Sequence, residues 1–441
     1  MEAVKIPKRI LGTLLNSLGA GVVPRTGLEY VAIGRQAQIG AVLADMENIR
    51  QGMGACRFFV GKYGSGKSFL IGLLRANATQ RGFVCADADL SPERRFVGTK
   101  GHGVATYREL MNNLSVKECP ERGALEAILT GWLARLTQEA MAATGLSPDR
   151  EELQKEVVRR IYGMVDHLKG FVNGFAFVQV LEQYYLGYAT GNEAQRSDSL
   201  RWLRGEFSSR LEARGSEVRV NTIIDDTNWY DYIKLWAAFF VALGYHGFLV
   251  FFDECVNLYK IANRLSRENN YEKILSMFND TLQGKAPHLG LFFGGTPLFL
   301  EDPRRGLYSY EALKSRLEAG RFVQGHTDML SPVIRLERLS DDELFALVCR
   351  LRTLHARYYS YQPRLTDDQL LAFLQACFER MGAEELITPR EITRDFLGIL
   401  NVMMQEPQLE LSQLLGRLGA TAPAQDPESQ WDLEIPALEI D

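Results

Sequence analysis

The chain has 441 residues, 46% of them hydrophobic and 24% charged, an ordinary globular composition with apolar mass for a large core and a smaller second one. A formal net charge of −5 excludes bulk charge as the means of gripping nucleic acid, leaving only local arginine clusters at Arg81–Arg95, Arg201–Arg219 and Arg304–Arg321. No apolar run reaches the roughly 18–20 residues that cross a bilayer, so no membrane span is expected.

The first segment has a basic start followed by apolar residues, as a signal peptide does. Asn16, Ser17 and Gly19 interrupt it, and Ile10, Leu11, Leu14, Leu15 and Leu18 fall at helical spacing, so it reads as a docked amphipathic helix. IGRQAQIGAVLADMENIRQG follows as a second helix. CRFFV at 56–60 reads as a buried strand. Next come the glycine-rich turn GKYGSGKS, a helix over SFLIGLLRANATQRG and a strand at 83–90.

A long, mostly helical stretch spans about 107–214 and contains no familiar motif. An apolar helix is expected at 229–245. The continuous apolar runs FLVFFDE at 248–254 and LGLFFGGT at 289–296 are typical of central parallel strands. Residues 333–358 turn from a short strand into a helix, with Ser340 and Glu343 spaced as a capping box. Two more helices follow, with Thr366 and Thr388 as caps and Pro389 at a first helical position. From about Ala420 the tail holds six acids and no basic residue, and is expected to be disordered. Strands alternating with helices predict an α/β fold with a parallel sheet.

The chemistry starts at the glycine-rich turn. Gly61, Lys62, Tyr63, Gly64, Ser65, Gly66, Lys67 and Ser68 match GxxxxGK[ST] in full, between a strand and a helix. Glycines let backbone N–H groups turn inward around phosphates, and the helix N-terminus adds favourable partial charge. Lys67 suits the β- and γ-phosphates and the Ser68 hydroxyl suits Mg2+. The nucleotide-binding set extends to Phe69.

Asp253 ends an apolar strand, where a carboxylate can hold magnesium, and the adjacent Glu254 is suited to orient or deprotonate a water. Thr296 closes the next strand, where a hydroxyl suits the γ-phosphate side. Arg316 is a candidate arginine finger acting on a neighbour's ATP, with Arg304, Arg305 and Arg321 as competitors. Arg390, and after it Arg394, could reach the nucleotide from the last long helix. Asp87 and Asp89 read equally as the rim of a site or as a solvated strand end. The six cysteines and six histidines show no metal-ligand spacing, and scattered single cysteines fit a reducing cytoplasm. Trp229 and Trp236 are expected in the core.

These residues, in this order, resemble the AAA+ ATPases of the branch containing origin-recognition proteins. GRQAQI resembles the opening helix of that module and VVPRTGLEYVAIGR the segment lining its adenine pocket. GKYGSGKS is similar to Walker A, FLVFFDE to Walker B, GGTP to sensor 1, SRL at 315–317 to the arginine-finger position, and TPREITRD at 388–395 to sensor 2. More narrowly, RILGTLLNSLGAGVVP, GKYGSGKS and NWYDYIKLWAAFFVALGYHGFLVFFDE resemble the BREX-associated ATP-binding proteins, BrxD-like, over nearly the whole chain.

The resemblance implies a P-loop NTPase sheet sandwiched by helices, ATP and Mg2+ as cofactors, and a cytoplasmic defence ATPase. Its partners would be further copies of the chain, a helicase or other defence proteins, with DNA as a further candidate. The implied organisation is N-terminal helices and the start of the core at 1–106, a helical insertion at 107–214 and the rest of the core at 215–332. A helical lid at 333–419 and an acidic tail at 420–441 complete it. The residues after Met403 leave little room for the winged-helix DNA reader of origin-recognition proteins. An alternative is a nucleotide-gated adaptor with little turnover. A P-loop kinase fits less well, because the distance from Ser68 to Asp253 is long and a helical lid follows late.

Overall fold

The computed structural model describes residues 6–99, 101–147, 150–164, 168, 170–319, 328–381 and 388–418. Arg321 and the acidic tail lie outside them. In chain order the elements are α1 (Lys8–Gly19), α2 (Gln36–Arg50), β1 (Ala55–Val60), α3 (Lys67–Gln80), β2 (Val84–Asp89) and α4 (His102–Asn112). Then come α5 (Ala124–Thr144), α6 (Glu151–Met164), α7 (Gly174–Thr190), α8 (Glu193–Leu203), α9 (Arg210–Gly215), α10 (Trp229–Ala242) and β3 (Phe248–Asp253). The chain continues through α11 (Val256–Tyr259), α12 (Arg264–Leu282), β4 (Leu289–Gly295), α13 (Pro297–Glu301), α14 (Glu311–Leu317) and β5 (Val333–Arg335). It closes with α15 (Asp341–Tyr359), α16 (Asp367–Met381), α17 (Pro389–Gln405) and α18 (Leu411–Leu418).

The five strands form one parallel sheet in the order β2-β3-β4-β1-β5. This is the α/β architecture of a P-loop NTPase with a helical extension. β1, β3 and β4 are buried along their whole length, which is why they read as unbroken apolar runs rather than alternating ones. Phenylalanines on adjacent strands stack in two ladders. Phe293 lies 4.9 Å from Phe58 and 5.2 Å from Phe252, while Phe292 lies 5.9 Å from Phe59 and 5.0 Å from Phe251. Neighbours in sequence thus serve different ladders, as the two-residue repeat of a strand requires.

The chain divides into two compact units. One holds Gln36–Val60 and Leu73–Arg335, and its core runs without a break from the sheet through the helical stretch α4–α9. The junction is built by large side chains with satisfied polar ends. Trp236 Nε1–H donates to the Tyr107 hydroxyl at 2.8 Å, and that hydroxyl donates to the Leu203 carbonyl at 2.7 Å. Trp229 donates to the Phe96 carbonyl at 3.1 Å, so both tryptophans are core residues, as expected. Asn270 of α12 accepts from the N–H groups of Phe96 and Val97 at 2.9 and 3.0 Å, fixing the chain that leaves β2.

The other unit holds Met1–Arg35, Gly61–Gly72 and Leu336–Asp441. Here Leu11, Leu14 and Leu15 of α1 join leucines of α15 and α17 in a second core. The expected amphipathic N-terminal helix is therefore a packed element. Ser340 caps α15 in a full capping box, and Thr388 caps α17 with Pro389 in its first turn.

Candidate nucleotide site

Val60 ends β1, and Gly61 through Gly66 carry the chain to α3. Gly64 and Gly66 adopt φ of 73° and 95°, a region that costs a side-chain-bearing residue energy. A Cβ on Gly64 would also lie 2.6 Å from the Thr388 hydroxyl, whereas one on Gly66 would meet nothing within 4 Å. Lys67 Nζ donates to the carbonyls of Gly61 and Lys62 at 2.7 and 2.9 Å and lies 5.6 Å from the Tyr63 ring centroid. The Ser65 hydroxyl is buried with no hydrogen-bond partner among the described residues. The first amides of a helix have no acceptor within it, and here they belong to Lys67, Ser68 and Phe69.

A polyphosphate fits this set on chemical grounds. The loop offers an ammonium, an orphaned buried hydroxyl, helix-terminal amides and open space over a left-handed glycine. Ser68, at the second position of α3, adds a hydroxyl of the kind that suits a magnesium ion. Among the described residues no three His, Cys, Asp or Glu side chains form a closed metal cage. Magnesium held by one or two protein oxygens together with phosphates needs none.

Arg35 touches the glycine-rich loop, and the sequence reading did not single it out. Its Nη2 donates to the Ser65 carbonyl at 3.0 Å, so a guanidinium braces the phosphate loop. It stands in the left-handed region, with φ of 65°, which is costly for arginine and is typical of functional positions. Burial lowers its pKa, against the opposing pull of Glu343 and Glu337. The available signal was the dipeptide Gly34-Arg35 opening GRQAQI: a Cβ on Gly34 would lie 2.6 Å from the Glu343 carboxylate. Arg390 is exposed in the first turn of α17 and has no ion-pair partner among the described residues, whereas Arg394 lies 3.4 Å from Asp395.

The acidic group lies at the carboxyl ends of β2 and β3, where Asp89 is in register with Asp253. Asp253 is buried, and its Oδ1 accepts the Glu254 N–H at 2.9 Å. The strand was expected to include Glu254; instead it ends at Asp253 and Glu254 turns out of it with φ of 54°. Burial first, and then the charges of Asp253, Asp87 and Glu254, push Asp89 up to about 6 despite Arg94. Asp89 is nevertheless exposed as a residue, so water moderates that repulsion. Asp87 differs: it forms a 2.7 Å ion pair with the buried Arg75.

Thr296 is buried, and its hydroxyl accepts the Phe299 N–H at 3.3 Å, capping α13 while keeping its own proton for donation. Arg316 is exposed and tethered, donating to Asn279 Oδ1 at 3.2 Å and to the Ala312 carbonyl at 2.6 Å. Its competitor Arg305 is turned inward, donating to the carbonyls of Tyr259 and Ile261 at 3.3 and 3.4 Å, and Arg304 is exposed. Gly61–Phe69, Arg35, Thr388 and Arg390 thus belong to one compact unit, and Asp253, Glu254, Thr296 and Arg316 to the other.

The family model described as "BREX system ATP-binding protein BrxC/D" matches residues 6–418. No curated protein matches the chain significantly.

Proposed function

The chain belongs to the family of BREX system ATP-binding proteins BrxC/D, and from that premise we propose that it hydrolyses ATP to drive or switch a DNA-associated assembly in BREX defence. The observation that carries the reading is the complete loop Gly61–Ser68 between a parallel strand and a helix, with its orphaned Ser65 hydroxyl and open Gly66.

In this proposal the loop amides and Lys67 hold the phosphates, Phe69 continues the cradle and Arg35 keeps the loop in shape. Ser68 and Asp253 are the residues that would hold Mg2+, which would supply charge neutralisation for the phosphates. Glu254 accepts a proton from the attacking water, and ATP and water give ADP and phosphate. Thr296 donates a hydrogen bond on the γ-phosphate side. Arg390 contacts the nucleotide from the lid, and Arg316 stabilises transition-state charge on a neighbouring copy's ATP. The setting is an assembly in the cytoplasm with further copies, a helicase or other defence proteins. No described helix is long and apolar enough to cross a membrane.

The test is ATP turnover by the purified protein, alone and with single- or double-stranded DNA, with Lys67→Ala as the blank. DNA-stimulated turnover that vanishes in the blank supports the reading. Tight ATP binding without turnover under all conditions replaces it with the nucleotide-gated adaptor.

A further inference from the structure

Helices α15 and α17, with the chain at 361–365 and Pro407, line a cavity of about 370 Å³, within the size range of ligand pockets. Its floor is apolar, built by Leu365, Leu400 and Met403, all nearly buried, with Met404 beside them. Two guanidiniums line it, Arg352 and Arg364, and no carboxylate does. Arg352 Nη1 donates to the Leu365 carbonyl at 2.6 Å and faces Asp367 at 2.9 Å, yet its Nε is buried with no partner among the described residues. Arg364 is exposed and donates to the Pro407 carbonyl at 2.5 Å. Such a cavity suits a ligand that offers apolar and anionic groups side by side.

The chain itself carries one. Residues 430–441 read QWDLEIPALEID: Trp431, Leu433, Ile435, Leu438 and Ile440 alternate with Asp432, Glu434, Glu439 and Asp441, and no basic residue intervenes. Its point of departure is close. α18 packs on α16 and α17, with Leu411 and Leu414 in the same core, and Pro407, just before it, lines the cavity. An eight-residue helix is about 12 Å long. The dozen residues from 419 to Trp431 can span about 40 Å when extended, which more than suffices for the return.

We propose that residues 430–441 dock into this cavity of their own chain, with Trp431 on the apolar floor and the flanking carboxylates against Arg352 and Arg364. The tail is then a built-in acidic ligand of the lid, and any partner of the same chemistry competes with it.

Tryptophan fluorescence of the full chain tests this directly. The other four tryptophans, Trp132, Trp202, Trp229 and Trp236, are at most 3% exposed, so Trp431 dominates the quenchable emission of an undocked tail. The emission of wild type minus that of Trp431→Phe isolates it. Docking predicts blue-shifted emission weakly quenched by acrylamide, with several-fold stronger quenching in Arg364→Glu and in Met404→Asp at an unchanged thermal unfolding temperature. Trp431 as quenchable in wild type as a free indole overturns the proposal. So does protection that survives both substitutions. Protection that disappears on dilution assigns the tail to a second copy and overturns docking within one chain.

Discussion

Asp253 and Glu254 are adjacent acids to which the proposed function gives separate tasks, and their backbones differ. One finishes a buried strand; the other turns into the left-handed region. Glu254→Gln should keep ATP affinity while turnover falls by about 10²–10⁴-fold, measured by nucleotide binding alongside phosphate release. Undiminished turnover would remove Glu254 from its role. Asp89 gives a pH signature. Its folded value of about 6 lies above the ordinary carboxylate value, so its contribution to stability is complete below about pH 4 and is lost as the pH rises through 6. Asp89→Asn should therefore raise the unfolding temperature of nucleotide-free protein at pH 8, with the gain disappearing near pH 4. A gain of the same size at both values would assign it to something other than charge. The acids were legible as a pair because an apolar run cannot end in two charges without reaching an edge. Arg35 was not legible, because its partner is a backbone carbonyl, which leaves no mark in side-chain spacing.

The elements were the most readable level. Ser340, Thr366 and Thr388 announce three C-terminal helices, and each accepts an N–H in the turn it caps. The sequence could not show that the cap of α17 also packs against Gly64 of the phosphate loop, since the two lie more than 300 residues apart. That packing makes two substitutions informative. Ser340→Ala and Thr388→Ala should each cost about 1 kcal/mol in chemical denaturation as lost caps. Gly64→Ala should instead weaken ATP binding, because it adds a left-handed alanine and a methyl where the Thr388 hydroxyl already stands. Equal ATP affinity in Gly64→Ala would show that the loop tolerates displacement there. Buried Arg57 is a different kind of anchor. It grips Asp45 with two 2.7 Å bonds and also donates to the carbonyls of Leu330 and Ser331, at 2.9 and 2.5 Å. Asp45→Ala should cost about 3–5 kcal/mol by leaving that guanidinium without its counter-charge.

At the scale of the whole molecule, the proposed oligomer makes a prediction that a single copy cannot satisfy. Arg316→Ala and Lys67→Ala proteins should each lose turnover, and mixing them should restore part of it. Absence of recovery at every ratio would confine Arg316 to its own chain. The helical stretch α4–α9 was legible as helical but not as part of the main core. Its joints, such as Tyr107 with Trp236 of α10, connect residues more than a hundred positions apart, and no local periodicity records them. The same topology has a consequence during synthesis. β2 is translated early, yet its partner β3 follows about 164 residues later, which at ribosomal speed is a wait of roughly 8–30 s. Throughout that interval the β2 segment lacks the partner that satisfies its backbone groups, and an unpaired strand is a template for non-native pairing.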